Sequence, residues 1–136
     1  MIVGGNNMHK FIGPHEGREL QLMLEGSKPL SMFVETIPAE LELFPERDFD
    51  KLVREGKLIK HVSIEDCPLP DGKVGKIRTV LYALPSEEWR IKALLLVQTV
   101  YASLTPGWRP DLERIIGLLL GYNRDDIEKF VDSPKF

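Results

Sequence analysis

The sequence predicts an α+β fold over residues 1–136, read as one domain: an antiparallel sheet of at least three strands, backed by a long central helix and a C-terminal helical hairpin. Three observations carry this. Apolar residues recur at helical spacing from Trp89 to Leu104 and again from Leu112 to Leu120. Two segments containing several β-branched residues, 58–65 and 77–84, flank a stretch rich in proline and glycine. The length of 136 residues is ordinary for a single domain.

In chain order, Met1 to Asn6 reads as a strand entering a glycine turn. Residues 18–25 fit a helix through Leu20, Met23 and Leu24, or a strand through Leu20, Leu22 and Leu24. Their Leu, Met, Glu and Gln content favours the helix. Gly26-Ser27-Lys28-Pro29 is a turn, and 30–36 alternates as a strand should. Residues 45–55 form a short helix with Phe49, Leu52 and Val53 on one face and Gly56 as its stop. The strands near 58–65 and 77–84 are joined by a loop over 66–76, most simply as an antiparallel pair.

Ser86 is the expected N-cap of the helix over 86–104, with Glu87 and Glu88 at the positive end of its dipole. That helix is apolar on two faces, so it is expected to be covered on more than one side. Pro110 suits a first helical position, and Leu112, Ile115, Ile116, Leu119 and Leu120 form the inward stripe of the next helix, with Gly121 after its end. Asn123 followed by Asp126 opens a last helix with Ile127, Phe130 and Val131 inward. The expected core is Leu94, Leu96, Val97, Val100, Leu112, Ile115, Ile116 and Leu119.

A net charge of −3 argues against a nucleic-acid partner held by phosphate neutralisation. Cys67 is the only cysteine, which rules out an intramolecular disulfide and a cysteine-based metal framework. The most apolar segment is interrupted by Lys92 and Gln98 and is too short to span a bilayer. With no signal-peptide pattern at the N-terminus, a cytoplasmic location is expected.

The densest polar cluster is His9 to Glu19, set among Gly13, Pro14 and Gly17. If a helix starts near Pro14, His15 and Glu19 share a face, and a carboxylate beside an imidazole can raise its pKa and fix its tautomer. His15 and Glu19 are the candidate catalytic residues. His9 and Arg18 are the candidate ligand-binding ones, because arginine grips carboxylate or phosphate with two parallel N–H groups. The plainer reading is a solvated helix start with its acids placed for the dipole.

Other signals point away from chemistry. His9 and His15 lack a specific metal-ligand spacing, and no metal or cofactor is expected. Glu65 and Asp66 beside Cys67 oppose a reactive thiolate, and His61 sits in the middle of a strand. Gly72 to Lys76 lacks the spacing of a phosphate loop. Asp125, Asp126 and Glu128 oppose a DNA-reading helix in the last hairpin. Trp108 and Arg109, with Tyr101 and Tyr122, suit a binding hot spot or corner packing equally well.

Two functions follow as expectations. One is a small binding or regulatory module acting through protein contacts or a small ligand, with a homodimer expected from the surplus apolar surface of the central helix. The other is a small enzyme using His15 and Glu19 in acid–base chemistry on an anionic substrate.

Overall fold

A computed structural model describes residues 14–37, 44–104 and 107–133. His9 and the strand expected at Met1 to Asn6 lie outside them. The sheet has three strands, β1 (Leu30–Ile37), β2 (Ile59–Pro68) and β3 (Val74–Ala83), in the order β1-β3-β2. Both pairings are antiparallel, with Leu30 and Ile59 flanking Ala83 at one end. The helices are α1 (Glu19–Leu24), α2 (Glu46–Arg54), α3 (Trp89–Ser103), α4 (Pro110–Leu119) and α5 (Arg124–Asp132).

Side chains alternate across the pleat, so β3 serves both faces of the sheet. Leu81 and Ala83 join Leu30, Ile91, Leu94, Ile116, Phe130 and others from the C-terminal helices in one core. Val80 and Tyr82 join Met23, Phe44, Phe49, Leu52 and Leu58 in a second core, on the side of α1 and α2. The rings of Phe33 and Phe44 stack there at 4.1 Å, and those of Phe49 and Tyr82 at 4.6 Å. Beside this core Arg78 pairs with Glu35 and Glu46, and Lys60 with Glu46 and Asp50. The Tyr82 hydroxyl donates to Asp50 at 2.9 Å. The Arg78 guanidinium holds the Glu46 carboxyl at about 2, well below the usual carboxylate range.

Residues 19–24 are helical, and the two long strands pair as the sequence suggests. The loop between them is shorter than expected. β2 runs on to Pro68 and β3 begins at Val74, so only 69–73 turn. That turn closes itself: Leu69 N–H donates to Lys73 O, Lys73 N–H to Asp71 Oδ1, and Gly72 takes φ +84°. Asn123 caps α5 as expected, its side chain accepting from Asp126 N–H at 2.8 Å.

The helical layer differs from expectation in three ways. A 3₁₀ turn at Pro85–Glu87 precedes α3, and Ser86 is not its N-cap. Only Ile91 and Leu94 of α3 are fully buried, while Leu96 is 65% and Val100 41% exposed. α4 is also turned from its expected setting. It buries Ile116 and Leu119 as expected, but also Glu113 and Gly117, and it leaves Ile115 42% exposed. The inward face therefore takes in a carboxylate. Glu113 faces the Tyr101 hydroxyl, whose pKa is pushed up by burial and by that carboxylate. Tyr101 in turn accepts the Arg109 N–H at 3.1 Å.

Candidate functional site

The end of α4 organises the most unusual polar cluster. A helix leaves its last carbonyls without intrahelical partners. Here Gly121, at φ +87°, lets the chain turn so that Tyr122 N–H reaches Gly117 O and Gly121 N–H reaches Leu118 O. Arg90, from α3, donates to Leu118 O at 3.2 Å and Leu119 O at 3.1 Å. The remaining carbonyl, Leu120 O, accepts from Lys28 Nζ, which comes from the turn before β1. Two cations thus meet the negative end of the α4 dipole.

Lys28 is 2% exposed. Its ammonium lies 4.7 Å from the centroid of the Tyr122 ring and 2.9 Å from Nδ1 of His15. While the amine is charged it only donates, so Nδ1 then accepts and the imidazole proton sits on Nε2. His15 itself stacks on Tyr122 at 3.9 Å. Burial lowers the amine of Lys28 to about 7, opposed by the carboxylate of Glu19. Burial and then the Lys28 charge lower His15 to about 4, with Asp126 opposing. Glu19 is raised, chiefly by burial.

Of the residues singled out in the sequence, His15 and Glu19 therefore both lie near Lys28, but the group facing the imidazole nitrogen is the amine. Its effect on His15 is opposite in sign to that of a carboxylate partner. Arg18 is exposed and donates to Pro14 O at 3.4 Å. Sequence reasoning passed over Lys28, because a lysine in a Gly-Ser-Lys-Pro turn looks like any solvated turn residue. Among the described residues, no group of three or more His, Cys, Asp or Glu side chains is placed to hold a metal ion.

A second feature is apolar. Trp89, Leu96 and Val100 share one side of α3 and are all exposed. The bonds from Arg90 to the end of α4 set the start of α3 beside Leu118, which is 58% exposed and one helical turn from the exposed Ile115. Arg90 lies over the Trp89 ring at 4.8 Å, and Glu87 accepts from both side chains. The aromatic group suspected from sequence is packed instead: Trp108 lies against Phe130 at 5.5 Å, and Tyr122 is buried. No helix is long and apolar enough to cross a membrane among the described residues.

Comparison with protein-family models, curated proteins and solved structures finds no match.

Proposed function

We propose that this protein is a small cytoplasmic binding module that acts through protein contacts, and that α3 and α4 carry the contact surface. One observation supports this above the others: Trp89, Leu96 and Val100 of α3 and Ile115 and Leu118 of α4 are exposed, on helices that Arg90 holds side by side. Large apolar patches on a soluble surface mark interaction sites, and Trp with Arg dominates binding hot spots. The spacing of Trp89, Leu96 and Val100 suits a helical segment of the partner. The test is a photo-reactive residue placed at position 96 and, as a control, at exposed position 129. Cross-linking from 96 and not from 129 is expected, with loss of the same partner in Leu96→Asp/Leu118→Asp. A folded double variant that keeps every partner of the wild type overturns the proposal.

A second reading is an enzyme using His15 and Glu19 in acid–base chemistry on an anionic substrate. It draws on the meeting of His15, Glu19 and Lys28, three titratable groups all shifted by burial. A substrate screen on wild type and His15→Ala tests it, equal turnover removing His15 from any mechanism.

A further inference from the structure

We propose that the outer edge of β2 pairs with the same edge of a second copy of this chain, antiparallel about a two-fold axis at Ser63. Among the described residues β2 is bonded along one side only, to β3, so its other row of N–H and C=O groups is open. The pairing would join two three-stranded sheets into one of six strands.

The occupant follows from the order of residues along the strand. Around Ser63 lie Lys60 and Asp66, His61 and Glu65, Val62 and Ile64, each pair equidistant from the centre. Run antiparallel against itself at this register, the strand sets Lys60 against Asp66 of the second copy, His61 against Glu65, and Val62 against Ile64. Each contact occurs twice by symmetry. Val62 and Ile64 are 40% and 54% exposed and stand on one face, so four aliphatic side chains would meet across the axis.

Neighbouring registers fail. A two-fold axis normal to the sheet keeps like faces together, so the axis passes through a like pair of residues. Centred on Val62, it opposes Lys60 to Ile64 and His61 to Ser63. Centred on Ile64, it opposes Val62 to Asp66 and Ser63 to Glu65. Only the register centred on Ser63 sets Lys60 against an acid and keeps the acids off the aliphatic side chains.

The charges already have partners, and these fit. Lys60 holds Glu46 and Asp50 at 2.9 and 2.8 Å, and Asp66 holds Lys76 at 2.7 Å. The new contact links those pairs into a chain of alternating sign. Pro68 lies outside the paired segment 59–67, which contains neither proline nor glycine. The other edge strand, β1, carries a single charge, Glu35, which is committed to Arg78, and it offers no such self-match.

The test uses the full chain. Light scattering should give twice the 15.5 kDa chain mass. Glu65→Lys/Asp66→Lys sets like charge against Lys60 and weakens the dimer roughly tenfold or more, while the far-ultraviolet spectrum stays that of the wild type. Register is read independently of these charges in a Cys67→Ser background. Ser63→Cys should give a disulfide-linked dimer, since the two sites face each other across the axis. His61→Cys should not, because its two copies stand four residues apart, about 14 Å at strand rise. A monomer at the highest attainable concentration overturns the proposal. So does equal cross-linking from positions 61 and 63, or a dimer broken by Leu96→Asp rather than by the β2 changes. A failure of the helical contact surface shows as unchanged partner recovery at constant mass, and is thereby distinct.

Discussion

Lys28 Nζ donates to the carbonyl oxygen of Leu120, 92 residues further along the chain, and so closes α4 from across the fold. The same ammonium reaches His15 and the face of Tyr122. A helix C-terminus, an imidazole nitrogen and an aromatic face present negative potential to the amine and offset part of the cost of burying its charge.

The charge of Lys28 gives stability a pH dependence of definite sign. Burial lowers the amine from 10.5 to about 7 in the folded chain. Between those values the unfolded chain holds a proton that the folded chain lacks, so stability rises with pH across that window. The slope is at most about 1.4 kcal/mol per pH unit, and it vanishes below pH 7, where both states are charged. Chemical denaturation of wild type and Lys28→Met across the window should show the difference moving in favour of wild type as pH rises. A constant difference would mean that the amine titrates alike in the folded and unfolded chains.

His15 should titrate near pH 4, against 6.5 in the unfolded chain. Its neutral form is therefore favoured by folding, and that contribution is lost as pH falls from 6.5 to 4. In Lys28→Met the midpoint should rise and yet remain below 6.5, since burial is the larger cause and the cation the second. Imidazole proton shifts followed by NMR check both points. An unchanged midpoint in the variant would separate His15 from Lys28.

Gly121 is constrained twice over. Its φ is +87°, and a Cβ there would stand 2.5 Å from Cδ of Pro29, the residue after Lys28. Gly56, at φ +77°, has open space around it. Gly56→Ala should cost about 1–2 kcal/mol, from the left-handed backbone alone. Gly121→Ala should cost more, and thermal melts of the two variants compare them directly.

The turned setting of α4 and the open side of α3 predict a sharp contrast between large-to-small changes. Ile116 is 1% exposed, and Ile116→Ala should cost about 2–5 kcal/mol. Ile115→Ala and Leu96→Ala remove side chains that solvent already reaches, and they should cost far less, about 0.5 kcal/mol or a little more. Equal losses at 115 and 116 would restore the stripe drawn from the sequence.

Asn123→Ala should cost about 1 kcal/mol, because it leaves the Asp126 N–H at the start of α5 without its cap. Asn123→Asp keeps an acceptor at the same place and should cost little. Urea midpoints distinguish the two.

What short-range chemistry controls was legible along the chain. Gly56 and Gly121 stop their helices because glycine enters the left-handed region freely, and Asn123 starts one because its side chain reaches a backbone N–H three residues on. The pairing of β2 with β3 was legible for the same reason, two β-branched segments around a turn. Tertiary structure alone decided which side of each helix faces inward. An apolar stripe is about 100° wide, and α3 offered two, so periodicity could not choose between Leu94 and Leu96. On α4 the inward face takes in Glu113, beside Tyr101 of another helix, a neighbour that no spacing along the chain announces. Lys28 was illegible for the strongest form of this reason. Nothing within a dozen residues marks it for burial, and its hydrogen-bond acceptor Leu120 and the ring it faces, Tyr122, reach it only once the two ends of the chain have packed together.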